Sequence, residues 1–180
     1  MSPLPTAGQT LLTLVALITS TGCFLADWNE THIHNPTWPA HAKFHNGQTM
    51  SFGALLGACT LWHIVTPPPS LPGNPAPHYA AADGHGAAGK STADGVNARM
   101  WRDVRREARL GRLRTVVLLG GLYWVTQASG YFYPGSGAFD PIPGREDVEQ
   151  DYWLQAKLEA AMFAMLGAGW WLERRRILAE

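Results

Sequence analysis

Four long apolar blocks constrain the fold of this 180-residue chain more than any other feature. They cover residues 8–26, 49–66, 115–133 and 152–172, and prolines or charged residues follow the last three. A helix needs about 20 apolar residues to cross the hydrocarbon core of a bilayer. Blocks two and three are apolar on every face, unlike the one-sided helices of soluble proteins. The pattern predicts an all-α protein with one domain, residues 1–180, folded as an integral membrane four-helix bundle.

Block one leaves two alternatives open, because it is short and lies near the N-terminus, as a signal peptide would. No Lys or Arg precedes it, which is unusual for a signal peptide. We therefore expect four spans, with three spans after cleavage or a soluble bundle of four buried helices as the alternatives. Small residues such as Gly53 and Gly57 recur in the blocks and favour close helix packing, which is also compatible with a homo-oligomer.

The distribution of basic residues gives an orientation. Of the fourteen Lys and Arg residues, eight lie between blocks two and three, and three follow block four. Lys43 and Arg145 are the only ones in the other two connections. Because basic residues mark the cytoplasmic side, we expect a multi-pass protein with both termini in the cytoplasm. The zero formal net charge gives no reason to expect nucleic acid as a partner.

The cytoplasmic connection has two parts. Residues 67–95 are rich in Pro, Gly and Ala and are predicted to be a flexible loop, in which His78 and His85 have no evident role. Residues 96–114 combine an apolar residue every fourth position with many arginines. This pattern predicts an additional amphipathic helix that lies on the anionic leaflet of the bilayer before block three begins.

The two non-cytoplasmic connections carry the chemically interesting side chains. The first, residues 26–46, is called the histidine loop because it holds four of the seven histidines. The second, residues 131–153, is called the aromatic-acidic loop. Pro36 and Pro39 prevent a continuous helix in the histidine loop, and a helix that starts at Ala40 would place His41 and His45 one turn apart. We expect the two loops to form one shared site above Glu159, an ionisable residue within block four.

These residues predict acid–base catalysis on a lipophilic small molecule that enters from the lipid bilayer, without a cofactor. Histidine supplies a base near neutral pH, and a carboxyl group at the membrane interface can supply an acid. Opening of an epoxide fits such a pair, and isomerisation of a double bond would use a similar one. The candidate catalytic residues are Asp27, His34, His41, His45 and Glu159, and the candidate substrate-binding residues are Asn35, Trp38, Asn46, Tyr131 and Tyr133.

Two alternatives to this function stay open. The first is a membrane enzyme with a single zinc or iron ion, because His32, His34, His41 and His45 show H-x-H and H-x3-H spacings. The second is a non-catalytic structural or partner-binding membrane protein, in which the same residues only shape a loop.

The string NPTWPAHAKFHN, from Asn35 to Asn46, resembles a motif in a largely uncharacterised family of small four-span membrane proteins from fungi and bacteria. In size and layout that family is similar to the membrane epoxide hydrolases and cyclases of fungal secondary metabolism, such as those of the aurovertin and citreoviridin polyketide clusters. It also shares general architecture with emopamil-binding-type sterol isomerases. The resemblance implies epoxide hydrolysis or cyclisation, or an isomerisation, on a lipophilic substrate.

Overall fold

The computed structural model describes the backbone of residues 4–66, 87–140, 142–145 and 147–180, and the side chains of all of these except residues 87–97. This part contains four α-helices: α1 (Ala7–Asp27), α2 (Ala40–Val65), α3 (Ala87–Ser129) and α4 (Leu154–Ala179). A short 3-10 helix, Gly130–Phe132, follows α3. Because these residues contain no strand, the predicted all-α class is confirmed for the described part of the chain.

Local chemistry explains where the helices begin. The Thr6 hydroxyl accepts a hydrogen bond from the backbone of Gln9, whose side chain accepts one from the backbone of Thr6. This capping box satisfies two amide groups at the start of α1. Pro39 precedes the first residue of α2, as its fixed backbone angle allows. Both helix starts thus follow from residues that the sequence places there.

The four helices are arranged around a common core in the order in which they follow one another along the chain. Each helix contacts the next, α4 closes the ring against α1, and α1 also touches α3 across the middle. Val15, Met50 and Met162 are buried where the helices meet. The Trp124 indole, also buried, donates a 2.9 Å hydrogen bond from Nε1 to the Thr19 hydroxyl. The core is therefore mainly apolar, and the bond between Trp124 and Thr19 joins α3 to α1 within it.

Glycines allow two of these helix contacts to be very close. A Cβ atom on Gly57 of α2 would lie 2.5 Å from the Ala16 carbonyl oxygen and 2.6 Å from the Ser20 backbone nitrogen, both in α1. At the far end of α1, a Cβ on Gly8 would lie 3.0 Å from the Gly169 carbonyl oxygen of α4. Any larger residue at these positions would force the helix backbones apart.

Helix α3 differs from the prediction of a separate basic helix followed by block three. It runs without interruption through 43 residues, from Ala87 to Ser129. No proline occurs between these two residues, so nothing in the sequence breaks the helix where its composition changes from basic to apolar. Of the predicted flexible loop, residues 87–95 are helical, whereas residues 67–86, with His78 and His85, lie outside the described residues.

One helix of the described part, Ala7–Asp27, is long and apolar enough to cross a membrane, with a mean hydropathy of 1.6 in its best window. This criterion uses length and composition only. The buried core helix of a soluble protein and an N-terminal signal sequence also meet it. The described part of the chain is thus a helical bundle in which one helix meets the criterion for a membrane span.

Candidate functional site

A cavity of about 1000 Å³ lies at the end of the bundle where α1 and α3 end and α2 and α4 begin. Its inner wall includes Tyr123, Trp124 and Glu159, and its outer part includes Asp27, His32 and residues of the aromatic-acidic loop. Cavities of this size and mixed character are typical of small-molecule sites. The cavity is therefore the candidate site of this chain.

The histidine loop and the aromatic-acidic loop meet beside the cavity. The Trp38 indole of the histidine loop donates a 2.7 Å hydrogen bond from Nε1 to the Asp140 carboxylate of the aromatic-acidic loop. The Trp38 ring also packs edge-on against the His32 ring, with 5.1 Å between their centroids. Trp38 is not one of the residues that line the cavity. It therefore joins the two loops and packs against His32 from outside the cavity wall, and its predicted role in substrate binding stays a prediction.

The Asp27 carboxylate, at the end of α1, lies between the side chains of Asn46 and His32. Its Oδ2 atom accepts a 2.8 Å hydrogen bond from the Asn46 amide, and its Oδ1 atom lies 3.8 Å from His32 Nε2. On the other side of the ring, His32 Nδ1 lies 2.7 Å from the Thr31 hydroxyl. Asn46 thus orients the carboxylate, and Thr31 orients the imidazole. Sequence reasoning had considered His32 only as a metal ligand.

The three histidines that were predicted to be catalytic do not line the cavity. His41 and His45 form a pair, with 3.0 Å between their Nε2 atoms, but both side chains are exposed in the first turns of α2. His34 is exposed and packs edge-on against Trp28. The helical spacing of His41 and His45 was predicted correctly, yet the cavity begins only one turn further along α2, at Gln48.

Of the remaining predicted binding residues, Tyr131 lines the cavity, whereas Asn35 and Tyr133 do not. Asn35 is 3% exposed, and its side-chain oxygen accepts hydrogen bonds from the backbone and hydroxyl of Thr37. It shapes the loop in the manner of an Asx turn. Tyr131 lines the cavity, and its hydroxyl accepts a hydrogen bond from the Ala156 backbone. Tyr133 is exposed and does not line the cavity.

Glu159 is the most deeply placed ionisable group of the site. It is 5% exposed, it lines the cavity, and its Oε1 atom has no hydrogen-bond partner among the described residues. Gln127, on α3, also lines the cavity and has an unpartnered side-chain oxygen. Lys157, by contrast, is exposed and bonds Asp151 at 2.7 Å, which lowers the pKa of the Asp151 carboxyl. Polar residues within apolar blocks were the sequence signal for Glu159 and Gln127.

The four histidines of the metal hypothesis are not gathered around one point. Within the described residues, no group of three or more His, Cys, Asp or Glu side chains is arranged to hold a metal ion. His32 faces Asp27, whereas His41 and His45 face each other. Among the described residues, these four histidines are therefore not brought together at a single-metal site.

Comparison with known proteins gives one match. A family model described as a family of unknown function (DUF6640) matches residues 11–94 and 81–180. No curated protein and no solved structure matches the chain. The expected membership of an uncharacterised family is confirmed, and the likeness to fungal epoxide hydrolases stays a prediction.

Proposed function

We propose that this chain, which belongs to the family of unknown function DUF6640, is a membrane-embedded enzyme that opens epoxides of lipophilic small molecules by acid–base chemistry. The observation that carries the proposal is the cavity of about 1000 Å³ with Glu159 in its inner wall and the Asp27–His32 pair in its outer part. Hydrolysis and cyclisation differ only in whether water or an internal hydroxyl of the substrate attacks the epoxide carbon.

The surface of the bundle supports a location in the membrane. Among the described side chains, more large apolar ones are exposed than buried, with exposed Leu on all four helices and exposed Phe on α1, α2 and α4. On helix α4, Glu159 and Glu173 are buried together with apolar residues, whereas large apolar side chains such as Phe163 and Trp171 are exposed. Soluble monomers rarely carry large exposed apolar patches, so this number of exposed apolar side chains favours a membrane location. We therefore retain four spans, at about residues 8–26, 49–66, 115–133 and 152–172.

The charged residues at one end of the bundle support the proposed orientation. Arg174 and Arg175 lie over the rings of Trp170 and Trp171, at 5.6 and 4.8 Å from the ring centroids. Paired Trp and Arg residues are common at the boundary between hydrocarbon and headgroups. The arginine-rich first half of α3 lies at this same end, where Arg109 bonds Glu180. This end is proposed to face the cytoplasm, and the cavity to open on the other side.

In the proposed mechanism, Glu159 is the acid. Its proton passes to the epoxide oxygen as the carbon–oxygen bond breaks, which leaves an alcohol on the substrate and a carboxylate on Glu159. The Asp27–His32 pair takes the proton of the attacking water or hydroxyl as the new carbon–oxygen bond forms. Asn46 holds the Asp27 carboxylate for this role, and aromatic side chains such as Trp124 surround the apolar part of the substrate. Proton balance is restored when the two carboxyl groups exchange a proton with water.

The test is turnover of a panel of long-chain epoxides by the purified full chain in detergent micelles. Positioned acid–base groups contribute about a hundredfold or more to a rate. We therefore expect Glu159→Gln and Asp27→Asn to lose at least about a hundredfold in kcat. His41→Ala is the matched control, because His41 lies outside the cavity, and it should retain the wild-type rate.

Three results would contradict the proposal. If no epoxide in the panel is consumed, epoxide opening is wrong. If His41→Ala, and not Glu159→Gln, abolishes turnover, the chemistry is at the histidine pair and not in the cavity. If a reporter fused to the C-terminus is found outside the cytoplasm, the orientation is wrong.

A further inference from the structure

We propose that the cavity binds lipophilic amines, with the ammonium group paired to Glu159 and the hydrocarbon part among the aromatic and aliphatic side chains of the wall. This inference rests on the proposed function for the identity of the site, but the binding requires no catalysis. It extends the proposed function by specifying the charge of the preferred ligand.

The charge of the cavity wall favours a cation. Among the described residues that line it, Asp27 and Glu159 are acidic, and none is Lys or Arg. His32 is the one basic side chain in this set, and it faces Asp27. No cation within the cavity wall therefore neutralises Glu159. A positively charged ligand would provide the counter-charge that Glu159 does not find in the cavity wall.

A comparison of two glutamates on the same helix strengthens this argument. Glu173 is 4% exposed, and its carboxylate accepts hydrogen bonds from Thr6 and from Arg176, the latter at 2.7 Å. Glu159 is equally buried, yet its Oε1 atom has no partner in the described part of the chain. Buried polar atoms are nearly always hydrogen-bonded, so the exception needs a reason. Since Glu159 lines the cavity, the reason we infer is a ligand that donates a hydrogen bond.

The neighbouring amides point to the same kind of ligand. Gln155 donates from Nε2 to the Ala138 carbonyl oxygen at 3.3 Å, which directs its own Oε1 towards Gln127. Gln127 must then offer its amide nitrogen, which donates to Gln155 Oε1 at 2.5 Å. The Gln127 oxygen is left without a donor. The cavity thus presents two unpartnered acceptors, on Gln127 and Glu159, and an ammonium group has several N–H donors.

The rest of the wall suits the apolar part of an amine. The Tyr123, Trp124 and Tyr131 side chains line the cavity, and aromatic faces attract cations. Ile18 and Leu158 supply aliphatic surface. When a neutral amine enters, the carboxyl O–H bond of Glu159 breaks and a new N–H bond forms. The product is an ammonium–carboxylate pair, and the same pair results if the amine enters already protonated.

The experiment compares three ligands with the same twelve-carbon chain: dodecylamine, dodecanol and dodecanoate. Binding to the purified full chain in nanodiscs is measured by calorimetry, with empty nanodiscs as the blank. A hydrogen bond to a charged group is worth about 1.5–3 kcal/mol, so the amine should bind at least about tenfold more tightly than the alcohol. The carboxylate should bind most weakly.

Two variants locate the effect. Glu159→Gln should reduce the affinity for dodecylamine about tenfold and leave that for dodecanol nearly unchanged. Glu173→Gln is the matched control, because it changes an equally buried glutamate of α4 that does not line the cavity, and it should bind the amine like the wild type. Equal affinities of the wild type for amine and alcohol would overturn the proposal, and this result needs no variant to fold. Unchanged amine binding by folded Glu159→Gln would also overturn it.

The outcome is separable from that of the epoxide assay. Amine binding without epoxide turnover would reject the proposed reaction and keep this inference. Epoxide turnover without a preference for the amine would support the proposed reaction and reject this inference. If both hold, dodecylamine should inhibit turnover in competition with the epoxide, and failure to compete would place the amine elsewhere on the protein.

Discussion

Replacement of Gly57 by alanine should weaken the contact between α1 and α2. The added Cβ would lie 2.5 Å from the Ala16 carbonyl oxygen, whereas ordinary contacts begin at 3.4 Å, so the helices must separate by about 0.9 Å. Because the atoms in the way belong to the α1 backbone, no side chain can turn aside. Overpacking of this kind costs up to about 3 kcal/mol, and the higher helix propensity of alanine offsets about 1 kcal/mol. The expected net loss is about 2 kcal/mol.

The matched control is Gly167→Ala in α4. A Cβ on Gly167 would meet no heavy atom within 4 Å, so only the gain in helix propensity applies, up to about 1 kcal/mol. The free energy of unfolding is measured by titration with sodium dodecyl sulfate from mild micelles and followed by circular dichroism. Gly57→Ala should unfold at a lower denaturant fraction than the wild type, and Gly167→Ala at the same or a higher one. Equal midpoints for the two variants would refute the packing of α1 against α2 described above.

Two further predictions concern the loops. Trp38→Phe removes the hydrogen bond to Asp140, so amide hydrogen exchange should become faster in both loops; unchanged exchange would show that Trp38 does not join them. The second concerns Asp151, whose pKa is lowered by its hydrogen bond with Lys157. A lowered pKa means that the ion pair contributes above the ordinary Asp pKa of about 3.9 and is lost as the pH falls through the lowered value. The unfolding midpoint of Asp151→Asn should therefore lie slightly below that of the wild type at neutral pH and meet it in acid, and a difference that grows in acid would contradict this.

The sequence was sufficient to predict features that depend on local periodicity. The four helical segments follow from apolar blocks, and the His41–His45 contact follows from the spacing of four residues on a helix. The uninterrupted course of α3 could also have been predicted, since no proline separates its basic and apolar halves. The change from basic to apolar residues at Arg114 is therefore a change in composition within one helix and not a change in structure.

The composition of the site could be predicted only in part. Asp27 and Glu159 were identified because a carboxylate at the end of an apolar block, or within one, is costly without a role. His32 could not be ranked above His34, because the direction of each ring depends on the turns that Asn29 and Asn35 form, and on the packing of Trp38. Such loop geometry depends on contacts between distant segments, which periodicity does not report.

The glycine contact between α1 and α4 has a mechanical consequence for the cavity. Gly8 and Gly169 fix the two helices together at one end, while further along both helices line the cavity. Glu159 lies ten residues, or about 15 Å, from this pivot along α4. A swing of about five degrees about the pivot would move Glu159 by about 1.3 Å, roughly half the length of a hydrogen bond. Met162 and Leu166, which are buried between the pivot and Glu159, oppose such a swing, so the width of the cavity at Glu159 depends on how tightly this part of the core packs.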